Sequence, residues 1–142
     1  MNKIRHTGIV TTNLKNSLIF WNKYLKFKIY KQANEKGKLI DKIMLYKNVK
    51  VKTIKLKDSN GSIIELLSFK NSPRIKKNKI KPYSNGITHI SITVKNINKL
   101  YKFLAKKKIQ FNSEPRVSED GKVIMTYCRT PEGAFLELVQ EV

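Results

Sequence analysis

The alternation of apolar and polar positions organises this chain into two similar halves. In 87–94, Ile90, Ile92 and Val94 alternate with His89, Ser91 and Thr93, the period of a half-buried strand. Asn96 follows as an N-cap, and Ile97, Leu100, Tyr101 and Leu104 share one face, predicting a helix over 97–107. Residues 109–112 then read as a short strand, 113–121 as a polar loop and 122–129 as a strand. Thr130-Pro131-Glu132-Gly133 reads as a turn, and 134–140 as the last strand.

The first half has the same order. Residues 4–12 read as a strand, Asn13 as a cap, and Leu14, Leu18, Trp21 and Leu25 as one stripe of an amphipathic helix. Strands are predicted at 27–31, 49–57 and 62–69, the last two joined by the hairpin signal Asp58-Ser59-Asn60-Gly61. Between them, 33–48 is broken by Gly37 and carries Leu39, Ile40, Ile43 and Met44, which predicts a short helix or a lid-like loop. Residues 70–85, with Pro73, Pro82 and a cluster of basic residues, read as a linker.

The two halves repeat in residues as well as in outline. A shift of 83 carries His6 onto His89, Asn13 onto Asn96, Leu14 onto Ile97 and Phe20 onto Phe103. A shift of 72 carries Gly61 onto Gly133, Glu65 onto Glu137 and Leu66 onto Leu138, the difference being absorbed by the segment at 33–48. The expected class is α+β: two tandem βαβββ modules forming a curved mixed sheet around a metal-binding cleft. One domain spans 1–142, with modules at 1–70 and 87–142 and a linker at 71–86.

Composition narrows the partners. The chain has 142 residues, 40% of them apolar, enough for a core, and a net charge of +20. Only Arg5, Arg74, Arg116 and Arg129 of its basic residues are arginines, and the lysines are spread along the chain. Phosphate and base-edge recognition favours the planar fork of arginine, so nucleic acid is not an expected partner. The positive field suits an anionic small molecule instead. No apolar run approaches the ~20 residues of a membrane span. The MNKIRHTG start lacks the apolar stretch of a signal peptide, and Cys128 stands alone. A cytoplasmic protein with no membrane partner is expected.

The candidate chemistry lies in the repeat. The chain has two histidines and ten acidic residues, and His6, His89, Glu65 and Glu137 fall on equivalent positions of the two halves. First and last strands lying side by side would bring His6 to Glu65 and His89 to Glu137. Two imidazoles and two carboxylates suit one divalent ion of Zn, Ni, Co, Mn or Fe, with two octahedral positions left for substrate oxygens. Cys128 has no histidine to spare as a base and reads as a strand residue. Asp41 and Glu35 could reach a cleft as part of a lid, and Tyr127 or Arg129 could line it. Nothing here forms a glycine-rich phosphate loop, a serine nucleophile motif or a CxxC pair.

The stretches TGIVTTNLKNSLIFWNKYL, GSIIELL, GITHISITVKNI and TPEGAFLELVQ resemble the vicinal oxygen chelate superfamily. It includes glyoxalase I, methylmalonyl-CoA epimerase, extradiol dioxygenases, and fosfomycin- and bleomycin-resistance proteins. The resemblance implies that His6, Glu65, His89 and Glu137 are metal ligands and that Glu137 and Glu65 are catalytic, shuttling the proton. It implies a divalent-metal-dependent lyase or isomerase acting next to a metal-bound carbonyl through an enediolate or enolate, on an anionic or acyl-CoA-type substrate. The alternatives within the superfamily are a metal-independent, resistance-type binder and an Fe(II) extradiol-type dioxygenase. Glyoxalase I carries an arginine and an asparagine where this chain has Val10 and Phe69. The epimerases carry a second histidine where it has Thr88. A homodimer is expected, with the halves side by side in one chain or swapped between partners.

Overall fold

A computed structural model describes residues 1–142. The chain divides into two compact units, Met1–Lys77 and Asn78–Val142.

In the first unit β1 (Thr7–Val10) leads through Asn13 into α1 (Leu14–Leu18), which continues as a π-helical segment, Ile19–Tyr24. Then follow β2 (Lys28–Lys36), α2 (Lys38–Met44), β3 (Lys50–Lys57) and β4 (Ile63–Phe69). The sheet order is β1-β4-β3-β2, with β1 parallel to β4 and the other pairs antiparallel. Asn13 caps the helix, its Oδ1 accepting the Asn16 N–H at 3.1 Å. Below the cap the Thr11 and Ser17 hydroxyls bond each other at 2.6 Å, satisfying two buried polar groups.

The helix departs from the predicted stripe. Leu25 N–H donates to the Phe20 carbonyl, five residues back, at 3.0 Å. This wider turn rotates Phe20 and Trp21 together into the core, while Leu14, Leu18 and Leu25 are only half-buried. Trp21 meets Phe20 and Phe27 edge-on, with ring centroids 5.2 and 5.6 Å apart. On the sheet, Ile54, Leu56, Ile64 and Leu66 form the buried face.

The second strand runs past its expected end to Lys36, with a register irregularity between Ile29 and Lys31. Gly37, at φ 112°, stops it in a conformation open to glycine. Of the two possibilities for the segment beyond, a short helix forms. Asp41 holds it, accepting the N–H groups of Asn48 at 2.9 Å and Val49 at 2.8 Å. Asp41 thus closes a turn rather than serving a cleft.

In the second unit β5 (His89–Thr93) leads into α3 (Ile97–Lys106), followed by β6 (Arg116–Val117), β7 (Val123–Arg129) and β8 (Phe135–Glu141). The order β5-β8-β7-β6, with β5 parallel to β8, repeats that of the first sheet. Asn96 caps α3 through the Lys99 N–H at 2.9 Å, and Gln140 Oε1 takes the Ile97 N–H at 2.8 Å. Ile97, Leu104, Cys128, Leu136 and Leu138 are buried.

No continuous strand forms at the predicted 109–112. Phe111 makes an isolated bridge to Cys128, and the two-residue β6 forms later, inside the predicted loop. Lys108 adopts φ 63°, turning the chain sharply. Arg129 N–H to the Gln110 carbonyl (2.8 Å) and Asn112 N–H to the Tyr127 carbonyl (2.9 Å) hold the segment beside β7. Pro115, with no N–H to donate, separates it from β6. Each unit is thus a βαβββ module, the first carrying α2 as an insertion, and the fold class is α+β.

Candidate functional site

Register places each histidine beside its glutamate. In the first unit Gly8 of β1 lies opposite Glu65 of β4, so His6, two residues upstream, stands diagonal to the carboxylate. In the second, Ser91 lies opposite Glu137, and His89 stands on the same diagonal. Diagonal neighbours on one face lie within reach of long side chains. His6 Nε2 is 2.7 Å from Glu65 Oε2, and His89 Nε2 is 3.8 Å from Glu137 Oε2. Both carboxylates are mostly covered, with side chains 12% and 14% exposed, whereas the imidazoles stand at 28% and 40%. The half-buried glutamates sit on the sheet face, and the more exposed histidines stand at its rim.

The residue across the next strand differs between the units. Lys55 of β3 pairs with Glu65, its Nζ 3.6 Å from Oε1. Tyr127 of β7 pairs with Glu137 and donates a hydrogen bond to it. Burial first, then the charge of Glu137 and that hydrogen bond, hold the Tyr127 phenol above its ordinary pKa. The Tyr127 ring also meets His89 edge-on at 5.2 Å, fixing one side of the imidazole. Lys55 and Tyr127 are equivalent under the same shift of 72 that relates the glutamates. Neither Lys55 nor its pairing is foreseen from composition, but the repeat and the hairpin register contain the signal.

The donor chemistry fits a divalent metal ion. Imidazole nitrogen and carboxylate oxygen bind such ions at about 2.0–2.2 Å, so neighbouring donors of one octahedron stand about 3 Å apart. The separations of 2.7 and 3.8 Å bracket that value. His6 would bind through Nε2, leaving Nδ1 buried without a hydrogen-bond partner. On His89 the Thr88 hydroxyl lies 3.4 Å from Nδ1, a long contact for an orienting bond. Within either unit, no third His, Cys, Asp or Glu joins the pair.

The remaining candidates take structural places. Arg129 donates to the Gly133 carbonyl at 2.7 Å and lies over the Phe135 ring at 4.0 Å, bracing the last turn. Glu35 lines a cavity of about 320 Å³ with Asn34, Lys36, Lys50, Lys52 and Lys70, which includes neither His6 nor Glu65. Cys128 is fully buried, and burial pushes its thiol up to about 12. A thiol-specific disulfide reagent at pH 8 is therefore expected to leave it unlabelled in the native protein. It should react once urea unfolds the chain; labelling of native protein at the rate of a free thiol would refute its placement.

No helix is long and apolar enough to cross a membrane. No curated protein matches the chain. Among solved structures, a glyoxalase family protein from Bacillus cereus is 23% identical with a TM-score of 0.87, covering 99% of this chain and 97% of that one. A trypanothione-dependent glyoxalase I from Leishmania major is 20% identical with a TM-score of 0.70, covering 99% and 88%. A glyoxalase/dioxygenase from Nostoc punctiforme is 13% identical with a TM-score of 0.69, covering 99% and 91%. These likenesses show the fold. The family model for the Glyoxalase/Bleomycin resistance protein/Dioxygenase superfamily matches residues 3–138. With its repeated βαβββ units and paired His–Glu diagonals, the chain belongs to that superfamily.

Proposed function

We propose that His6, Glu65, His89 and Glu137 together hold one divalent metal ion. We propose further that the protein is a lyase or isomerase moving a proton next to a carbonyl of an anionic or acyl-CoA-type substrate. One observation carries this reading: the same His–Glu diagonal occurs at equivalent positions of both units, with both carboxylates sheltered. When bound, such an ion polarises a carbonyl oxygen and makes the adjacent C–H more acidic.

The chain's own groups divide the remaining work. His6 and His89 would bind through Nε2. Glu65 is held from two directions, by His6 at one oxygen and Lys55 at the other, which suits a fixed ligand. Glu137 has a looser imidazole contact and the Tyr127 hydroxyl as donor, which suits the carboxylate that takes and returns the proton. Tyr127 then steers it. Val10, exposed on β1, and Phe69, against Tyr46 at 6.3 Å, offer no charge to a glutathione peptide. These two positions weigh toward an acyl-CoA-type substrate over the glutathione adduct, the two readings being epimerase-like and lactoylglutathione lyase-like. The working form proposed is a homodimer.

Metal analysis of tag-free protein, followed by a panel of hemithioacetals, methylmalonyl-CoA and catechols, tests the assignment. One divalent ion per chain is expected, with solvent deuterium entering the carbon next to the carbonyl of an accepted substrate. Protein that binds none of Ni, Co, Mn or Zn when supplied would overturn it, and oxygen uptake with catechols would place the chemistry in ring cleavage instead.

A further inference from the structure

We infer that Lys55 is a specificity-determining residue that binds the carboxylate of a small anionic substrate beside the His6–Glu65 pair. The role of that anion as part of a substrate rests on the function proposed above; anion binding by Lys55 itself does not. The row across the first sheet runs Lys31 on β2, Lys55 on β3, Glu65 on β4 and Gly8 on β1, each opposite the next and all on one face. Two lysines directly opposite each other repel and destabilise the pairing. One carboxylate, already engaged with His6 at 2.7 Å, stands against them. The row therefore carries excess positive charge at the place where the site's own ligand sits.

The side chain of Lys55 is also placed unlike most of the lysines. It is 20% exposed, so its stem is packed and its ammonium emerges at a defined point. At 3.6 Å its contact with Glu65 is an ion pair, longer than an N–H···O hydrogen bond. Its three N–H donors thus retain capacity for an acceptor of better geometry. A second carboxylate lying over Glu65 would meet both Lys55 and Lys31. The second unit lacks this property, because the equivalent position is Tyr127, a neutral group committed to Glu137. Gly8 closes the row without a side chain, and the Leu67 side chain of β4 packs over it, with Cδ1 3.4 Å from where a Cβ on Gly8 would lie. Lys57 lies on the same face, but its Nζ rests over the Tyr30 ring at 4.3 Å.

Malonate titrated into metal-free, full-length protein and followed by amide NMR shifts provides the test. Shifts centred on Lys31, Lys55 and Glu65 are expected. Lys55→Met should weaken malonate binding by about tenfold or more, the scale of a charge-assisted hydrogen bond. Lys55→Arg should retain it, and Lys57→Met should change it less than about twofold. Lys55→Gln serves as the second uncharged variant, with melting temperatures confirming that each variant folds. Equal losses in Lys55→Met and Lys57→Met would overturn the inference as general charge screening, as would unchanged binding in both uncharged Lys55 variants. Cobalt affinity measured on the same wild-type sample separates the two ideas. Absence of cobalt binding with Lys55-dependent malonate binding removes the proposed metal chemistry and supports the anion site.

Discussion

Replacing His89 with alanine is expected to abolish tight binding of a divalent metal while leaving the fold intact. Loss of residues that merely orient a ligand costs about 10–100-fold in affinity, and removal of the ligand itself should exceed that. The imidazole is 40% exposed at the rim of its sheet, so its removal opens no cavity in the core. Its neighbours are Glu137 and the edge of Tyr127, neither of which can supply a nitrogen donor. Metal stoichiometry and calorimetric affinity of His89→Ala, beside a melting curve, give the measurement. His6→Ala should behave alike, because it holds the same diagonal in the other unit. Unchanged metal content in either variant would remove that histidine from the site. Glu137→Gln distinguishes ligand from base: the amide oxygen can still face a metal ion, but the group no longer accepts a proton. Metal retained with proton exchange lost is the expected pattern.

The pairs themselves were legible in the sequence because strand alternation fixes which side chains share a face. Once His6 and His89 align, and Glu65 and Glu137 align, parallel pairing of first and last strands is enough to set each diagonal. The lysine opposite Glu65 was legible too, though only through the turn. Asp58 receives the Ser62 N–H at its side chain (2.8 Å), while the Asp58 N–H donates to the Ser62 carbonyl at 3.0 Å, which sets Lys57 against Ile63 and hence Lys55 against Glu65.

Other features carried no such signal. The later part of β2, Gln32 to Lys36, is polar on both faces and mostly exposed, so an edge strand there leaves no alternation to read. The π-helical turn at Ile19–Tyr24 inserts a residue into the helical period, so a regular stripe picks Leu14, Leu18 and Leu25 beside Trp21 and misses Phe20. In the second unit, β6 has only two residues, both exposed, and pairs where a polar loop was expected. In each case backbone geometry or an edge position overrode the hydrophobic pattern. Both glutamates escape this difficulty because each sits on a strand with neighbours on both sides.

That distinction predicts where the first unit is most vulnerable. Trp21 is fully buried, wedged edge-on between Phe20 and Phe27, in the helical segment that covers the apolar face of the sheet. Trp21→Ala removes the largest side chain of this core and breaks two aromatic contacts, at a cost of about 3–5 kcal/mol. Domains of this size are stable by only about 5–15 kcal/mol, so the variant should lose at least about a fifth of its stability. The π turn sharpens the effect: residues 20 and 21 enter the core together, and collapse around the gap would have to unwind the bond from Leu25 N–H to Phe20. The loss should also reach the opposite face, since Ile64 and Leu66 flank Glu65 on β4 and point into this core. Urea unfolding followed by circular dichroism is the check, with Leu39→Ala, at a position 69% exposed, as the reference expected to stay within about 0.5 kcal/mol of the parent. A midpoint for Trp21→Ala equal to that of Leu39→Ala would mean that the aromatic trio does not anchor the unit, and that the face carrying His6 and Glu65 is braced from elsewhere.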